Sequence, residues 1–181
     1  MAEQSTYDVV LLVEQRLSAL DARQVRSLHE EIEEPVRYHL LLPVEDAASR
    51  VETAMGSLAA GDMLGSPAPP FDAQDVADIQ HDILKRARED VEASIARLQE
   101  AGASASGRAV AADPVDALAD TVKEVGAAEA IILTRSHLVS EFFHLDWTSR
   151  ARRRLGVPVL HLLEHETFDE QAGGGEGVSG V

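Results

Sequence analysis

The sequence predicts an α/β fold: an open five-stranded parallel sheet with helices on both faces. Residues 7–13 (YDVVLLV) and 128–134 (AEAIILT) are predominantly apolar runs, which is typical of strands buried on both faces. Strand-like runs alternate along the chain with amphipathic helical stretches, and the connections between most of them are short. Short connections of this kind favour right-handed crossovers and therefore parallel strands.

The first helix and the second strand follow the first apolar run. In the segment LDARQVRSLHEEIEEP, the apolar residues Val25, Leu28 and Ile32 recur at helical spacing, and Pro35 ends the pattern. Residues 36–44 (VRYHLLLPV) then predict the second strand.

A long loop interrupts the alternation at residues 56–72. Three glycines and three prolines fall within 56–70, and these residue types favour turns over regular structure. The segment is either an insertion without a function or a lid over a binding site.

The longest helix is predicted over residues 72–101. Its apolar residues form one stripe: Ile79, Ile83, Ala87, Val91, Ile95 and Leu98. Gly102 follows as a helix-ending residue, and residues 103–110 (ASASGRAV) predict the third strand.

The last elements are a capped helix, a strand, a helix and a strand. Asp113 suits the N-cap of the next helix, Pro114 its first position, and Gly126 its end. After the apolar run that ends at Thr134, residues 144–155 predict a helix and residues 157–163 (VPVLHLL) the last strand.

Two regions follow from this pattern. Residues 1–163 predict one α/β domain, since a chain of 181 residues fits a single domain of ordinary size. Residues 164–181 are acidic and rich in glycine, which predicts a disordered tail.

Composition excludes several classes of protein. The net charge of −16 argues against binding to nucleic acid or to anionic membranes, and aromatic residues are only 4% of the chain. The absence of cysteine excludes disulfides and thiol catalysis. No apolar run approaches the ~20 residues of a membrane span and the start lacks a signal peptide, so we expect a cytoplasmic protein.

A ligand site is expected at the carboxyl ends of the strands, where the strand order reverses. The walls of that site are the stretches after Val13, Leu42 and Leu133. Arg135, Ser136 and His137 stand at one of these ends.

Three interpretations of that polar segment are open. Its side chains suit an anion or a carboxylate ligand, because arginine offers a fork of donors and histidine a switchable charge. His137 with Glu141, and His144 with Asp146, have the types of acid–base pairs. The third interpretation is a polar loop whose side chains bond to each other and to the backbone.

Two further clusters near the C-terminus have functional and structural interpretations. His161, Glu164 and His165 are metal-ligating types, but their spacing favours surface side chains over a metal site. The arginine-rich run at 149–155 either complements a helix C-terminus and bridges to acidic residues, or meets an anionic partner.

In five segments taken in order, the chain resembles the universal stress protein family. DVVLLVEQRLS, YHLLLPVED, the run from LQEAG to ILTRS, the ADPVDAL motif within that run, and GVPVLHL are similar to successive family segments between about residues 5 and 163. The resemblance implies the strand order 3-2-1-4-5 and a role in stress response. It also implies a homodimer formed through the last strand, 157–163, whose apolar edge needs cover.

Many members of that family bind ATP through a glycine motif after the fourth strand. When the motif is aligned with this chain, its three glycines correspond to Leu133, Ser136 and Asp146. Its serine or threonine position corresponds to Trp147, next to Thr148. All three glycines are therefore replaced.

The replacements weaken the expected phosphate cradle. Glycines let backbone amides approach a phosphate, so Leu133 is expected to block that approach. Asp146, if it faces the phosphates, repels them by about 4 kcal/mol at 4 Å and an effective dielectric near 20, roughly three decades of affinity. We therefore expect no ordinary ATP binding and no cofactor.

The resemblance nevertheless defines a candidate ligand site. Glu14 occupies the position of the family's adenine-side aspartate, and Pro43 and Val44 follow the second strand, where the family lines its adenine pocket. The complete candidate ligand-binding set is Glu14, Pro43, Val44, Thr134, Arg135, Ser136, His137, Asp146 and Thr148.

Three functions are compatible with these observations. The first is a non-enzymatic binding or regulatory protein of the stress response, with an unidentified small ligand or protein partner and no metal. The second keeps ATP or another adenine nucleotide in a changed pose, with slow hydrolysis. The third is a structural dimer that acts only through partner contacts. No set of residues specifies a reaction, so the sequence predicts a protein that is not an enzyme.

Overall fold

The computed structural model describes residues 6–44, 73–134 and 154–163. Five strands and three helices follow one another in these residues: β1 (Tyr7–Val13), α1 (Ala19–Ser27), β2 (Val36–Pro43), α2 (Ala73–Glu100), β3 (Ser104–Val110), α3 (Pro114–Val125), β4 (Glu129–Thr134) and β5 (Val159–Leu163). Most predicted strands and helices are present, with ends that differ by one or two residues.

The five strands form one parallel sheet in the order β3-β2-β1-β4-β5. This confirms both the predicted fold class and the predicted strand order. β1 is central, and its residue Leu11 pairs with Leu40 on one side and Ile131 on the other. The strand order reverses between β1 and β4, and open α/β sheets bind ligands in the crevice at the carboxyl ends of the strands at such a point.

Helices α1 and α2 cover one face of the sheet. Val9, Leu11 and Val13 of β1 point to this face and are fully buried. The predicted stripe of α2 packs against it: Ile83, Ala87, Val91 and Leu98 are buried, whereas Ile79 and Ile95 are half-buried. A parallel sheet is buried on both faces, so the strand residues that point to one face and those that point to the other are both apolar.

Helix α3 covers the opposite face. The intervening β1 residues, Val10 and Leu12, pack there with Leu118 and Val122 of α3. Leu155, which precedes β5, joins the same cluster. Helices therefore lie on both faces of the sheet, as the alternating sequence pattern predicts.

Local hydrogen bonds fix both ends of α3. The carboxylate of Asp113 accepts from the backbone N–H groups of Val115 and Asp116 at 2.9 and 3.0 Å, and Pro114 takes the first helical position. Gly126 ends the helix in a left-handed conformation with φ +62°. These are the three positions that the sequence assigned, and they satisfy backbone groups that a helix leaves unpaired.

Helix α1 is shorter than the sequence predicts. The apolar spacing suggests a helix that continues to Pro35, but α1 ends at Ser27, and the residues after it make tight turns. There the N–H groups of His29 and Ile32 donate three residues back, to Arg26 and His29 at 3.2 and 3.3 Å. At these turns the His29 side chain is buried beside the sheet. A continued α-helix would not have to bury this side chain.

Several predictions concern residues outside the described ranges. They include the loop 56–72, most of the predicted helix 144–155, and the tail 164–181. Of that helix the structure describes Arg154 and Leu155, which are helical, and β5 then begins at Val159, two residues later than predicted.

Candidate functional site

The candidate site lies where β1 and β4 end side by side. Val13 pairs with Leu133, and the N–H of Glu14 donates to the carbonyl of Leu133 at 3.2 Å. This bond continues the β1–β4 pairing one residue past β1. Glu14 and Thr134, two predicted site residues on separate strands, are therefore neighbours at the crevice.

Thr134 is fixed by a side chain from the adjacent strand. Its hydroxyl oxygen lies 2.7 Å from Nε2 of His161 on β5. Burial lowers the pKa of His161 below its ordinary value of 6.5, because the interior penalises the charged ring. A neutral ring can accept a hydrogen bond from the threonine O–H, which leaves the lone pairs of that oxygen for other donors.

This contact corrects the interpretation of His161 as an isolated surface residue. Its side chain is half-buried and bonded to Thr134 rather than standing free. Glu164 and His165, the other members of that sequence cluster, lie outside the described residues.

Pro43 and Val44 lie at the same end of the sheet. Pro43 ends β2 and pairs with Val110, whose carbonyl accepts a hydrogen bond of 2.8 Å from the N–H of Val44. Both residues are half-buried. The structure thus brings Glu14, Pro43, Val44 and Thr134 to one edge of the sheet.

Helix α2 anchors the segment that follows Glu14. The buried hydroxyl of Ser94 accepts a hydrogen bond of 3.0 Å from the N–H of Leu17 and donates to the carbonyl of Asp90 at 2.7 Å. Arg16 lies 4.0 Å from the Asp90 carboxylate, as a second and exposed contact. This anchor gives the wall formed by residues 14–18 a fixed position on the fold.

The Leu133 side chain does not extend into the crevice, contrary to the expectation that a leucine in place of the motif's first glycine blocks the approach of a phosphate. Its side chain is fully buried in the core that includes Leu11, Val13 and Leu162. Strand side chains alternate between faces, so the leucine packs inward while its carbonyl meets Glu14. The expected blocking by Leu133 is therefore wrong.

The remaining predicted site residues lie outside the described ranges. They are Arg135, Ser136, His137, Asp146 and Thr148, and with them the acid–base pairs that involve Glu141 and His144. Arg154, from the end of the arginine-rich run, pairs with Asp116 at 2.6 Å. For that arginine, the bridge to an acidic residue is confirmed.

Two absences hold for the part of the chain that the structure covers. No cluster of three or more metal-ligating side chains occurs among residues 6–44, 73–134 and 154–163. Within the same ranges, no helix is long and apolar enough to span a membrane.

The structure also shows two polar clusters that sequence analysis missed. At the amino ends of the strands, buried His29 bonds to Glu129, and its Nδ1 lies 2.7 Å from the hydroxyl of Tyr38. On the α3 face of the sheet, His39 lies between Asp8 and Ser106. Charged or polar residues within otherwise apolar strands, such as Asp8 in YDVVLLV, His39 in VRYHLLLPV and Glu129 in AEAIILT, are the sequence signals for these clusters.

Comparisons with known proteins identify the architecture. No family model matches the sequence, and no curated protein matches it. Among solved structures, hypothetical protein MJ0577 has a TM-score of 0.54 at 12% identity and covers 89% of this chain and 99% of its own. The universal stress protein UspA from Lactobacillus plantarum has a TM-score of 0.53 at 11% identity and covers 87% and 99%.

A third similar structure contains a nucleotide. It is a universal stress protein family protein from Arabidopsis thaliana with AMP bound, at a TM-score of 0.50, 13% identity and coverage of 87% of this chain and 92% of its own. Identities this low establish the architecture and not the activity. The chain therefore has the fold of the universal stress proteins.

Proposed function

We propose that the chain is a divergent universal stress protein that binds a small ligand at the crevice between β1 and β4 and does not transform it there. One observation carries the proposal: Glu14 continues the β1–β4 pairing beside Thr134, and His161 holds the Thr134 hydroxyl in place. This juxtaposition sets a carboxylate and an oriented hydroxyl at the reversal of strand order, where open α/β sheets bind ligands.

The ligand that this site suits differs from ATP in its ordinary pose. Three replaced glycines remove the flexible backbone that wraps a triphosphate. Glu14, at the crevice, can accept hydrogen bonds from a ribose or a base but repels phosphate oxygens. A ligand with hydroxyl or amino donors and little negative charge fits this chemistry best. Arg135, Ser136 and His137 remain predicted contacts.

Adenine nucleotides are the second candidate. The Arabidopsis neighbour contains AMP, and the positions of Glu14, Pro43 and Val44 at one edge of the sheet agree with an adenine-side wall. AMP carries less charge than ATP, so it is the better nucleotide probe. Slow hydrolysis of ATP belongs to this candidate only.

The deciding experiment is native mass spectrometry of freshly purified protein, followed by thermal shift with adenosine, AMP, ADP and ATP. A ligand at 100 times its Kd stabilises the folded state by about 2.7 kcal/mol. We expect a retained ligand with little negative charge, or a shift with adenosine that exceeds the shifts with AMP, ADP and ATP. A larger shift with AMP, or with ATP and magnesium, would support the second candidate.

Matched variants locate the binding. Thr134→Val keeps the shape of the side chain and removes the hydroxyl, and Glu14→Gln removes the charge. Each is expected to reduce the shift with the bound probe, while Ser104→Ala, a change at an exposed position of β3, leaves it intact. An undiminished shift in both site variants would place the ligand elsewhere.

We also propose that two copies of the chain associate along β5. This strand pairs only with β4 among the described strands, and Val159 and Leu160 are half-buried at that edge. Light scattering with Leu160→Lys tests it, because a lysine on an edge strand disfavours further pairing. Ala105→Lys, a half-buried position on the opposite edge strand β3, is the control. An unchanged mass for Leu160→Lys argues against this interface.

A further inference from the structure

We propose that Ser106 is a nucleophile that accepts an acyl group, with His39 as its general base and Asp8 as the residue that positions His39. Nε2 of His39 lies 2.7 Å from Oδ1 of Asp8, and Nδ1 of the same ring lies 3.4 Å from Oγ of Ser106. Carboxylate, imidazole and hydroxyl thus form a chain. This site is distinct from the crevice at the carboxyl ends of β1 and β4.

The register of the sheet produces the arrangement. His39 pairs with Val10 of β1 and with Ser106 of β3, so the histidine and the serine lie side by side on one face. Asp8 is two residues before Val10 and therefore points to the same face. Three neighbouring strands each supply one member, on the regular and rigid part of the fold.

The hydrogen bond to Asp8 decides which nitrogen serves as the base. A carboxylate can only accept, so the neutral ring carries its hydrogen on Nε2 and donates it to Asp8. Nδ1 is then unprotonated and faces the Ser106 hydroxyl. The distance of 3.4 Å exceeds a strong hydrogen bond, but contacts of this kind commonly tighten when substrate binds. Arg37, 3.7 Å from Asp8, is a second partner of the carboxylate.

A groove lies next to the serine. His39, Ser106, Arg108, Thr121 and Glu124 line it, and its volume is about 200 Å³. The side chains of Asp8 and His39 are only 14% and 16% exposed, whereas Ser106 is exposed. The base is thus partly shielded from water while the nucleophile remains accessible. A groove of this volume suits a small acyl donor such as an acetyl ester.

Arg108 supplies a cation on the same face of β3, two residues beyond Ser106. Its guanidinium donates to the hydroxyl of Thr121 at 2.9 Å and lies 3.6 Å from Glu124. These contacts hold the positive charge at the wall of the groove. Such a charge stabilises the oxyanion that forms when a hydroxyl attacks a carbonyl carbon.

The reaction is balanced with water as the only co-reactant. Oγ of Ser106 bonds to the carbonyl carbon as its proton passes to Nδ1 of His39, and the bond from that carbon to the leaving group then breaks. His39 returns the proton to the departing alkoxide or phenoxide. Water, activated by the same nitrogen, can later release the acyl group as an acid. This activity departs from the sequence-based expectation of a protein that is not an enzyme.

The test uses p-nitrophenyl acetate with the full chain. Release of p-nitrophenolate gives the rate, and intact mass followed by peptide mapping gives the acetylated residue. Background acylation is low, because the chain has no cysteine and only two lysines, Lys85 and Lys123. We expect one acetyl group on Ser106 that is absent in Ser106→Ala and retained in Ser104→Ala, the matched serine on the same face of β3.

Two further variants separate the roles of His39 and Asp8. General-base catalysis contributes roughly 10²–10⁴-fold, so His39→Gln should slow acetylation of Ser106 at least about tenfold. Asp8→Asn should slow it as well at an unchanged thermal midpoint, since an amide that donates to the ring selects the wrong tautomer, and Asp8→Glu should restore part of the rate.

Acetylation of Ser106 no faster than that of Ser104, or no slower in His39→Gln, would overturn the proposal. A label found on His39 or on a lysine instead of Ser106 would overturn it too. These outcomes are independent of the ligand tests at the crevice, because none of the variants changes Glu14, Thr134 or His161.

Discussion

The phenol of Tyr38 offers a prediction whose sign changes with pH. Its side chain is fully buried, and its hydroxyl donates to the carbonyl of Val25 at 3.3 Å and lies 2.7 Å from Nδ1 of His29. Burial raises the pKa of this hydroxyl well above its ordinary value of 10.0, the Glu129 carboxylate adds to the rise, and Arg26 opposes it. The variant Tyr38→Phe keeps the ring and removes only the hydroxyl.

At neutral pH the variant should be less stable by about 1 kcal/mol, the usual net value of one buried hydrogen bond. The cost stays near this value when Nδ1 of His29 carries a hydrogen and bonds to the Val25 carbonyl, 3.1 Å away.

At alkaline pH the difference should close and then reverse. Above the ordinary pKa of 10.0, Tyr38 of the unfolded chain loses its proton while the folded protein retains it. The raised pKa therefore lowers the free energy of unfolding by about 1.4 kcal/mol per pH unit, and phenylalanine has no such dependence. The two stability curves should cross near pH 11, by the same arithmetic of about one pH unit.

Urea unfolding of both proteins between about pH 7 and pH 11 measures the two curves. Tyr7, whose pKa burial also raises, is present in both proteins and cancels in the difference. A gap that stays constant up to pH 11 would refute the reasoning, because it would mean that Tyr38 ionises as readily in the folded state as in the unfolded chain.

Three other predictions follow from single contacts. Ser94→Ala should destabilise the protein by about 1–3 kcal/mol in urea unfolding, since the N–H of Leu17 loses its buried acceptor; a cost near zero would show that water replaces the hydroxyl. Gly107→Ala should cost about 1–3 kcal/mol by the same measurement, because a Cβ there would lie 2.9 Å from the backbone oxygen of Leu40. His161→Gln should reduce the loss of stability as the pH falls below 6.5. Below that pH the His161 ring of the unfolded wild-type chain binds a proton, whereas the buried ring of the folded protein, with its lowered pKa, stays neutral. Equal loss of stability with acid in both proteins would contradict this reason.

Periodicity and end signals were sufficient for the architecture. Continuous apolar runs at β1 and β4 predicted strands covered on both faces, and Asp113, Pro114 and Gly126 bounded α3 correctly. These signals are local, so a single sequence contains them. The strand order required the family resemblance, because hydrophobic patterns do not state which strands are neighbours.

The helix α1 is present, but its predicted end at Pro35 was wrong. Apolar spacing continues from Val25 through Leu28 to Ile32, but the chain keeps that spacing with tight turns after Ser27. Just after the helix end, His29 is buried against Glu129, 100 residues away in sequence. A partner so distant leaves no trace in the local pattern.

For the candidate sites too, some features could be predicted from the sequence and others required the tertiary structure. The sequence by itself predicted the fold class and a candidate site at the carboxyl ends of the strands, from the rule that parallel strands end at one edge of a sheet. The family resemblance added Glu14, Pro43 and Val44 to that site, and these residues lie with Thr134 at one edge of the sheet. Only the tertiary structure decided that Leu133 packs inward, that His161 holds Thr134, and that Asp8, His39 and Ser106 form a chain across three strands. Those contacts depend on strand register and on the face to which each side chain points, and a shift of one residue in register would remove all of them.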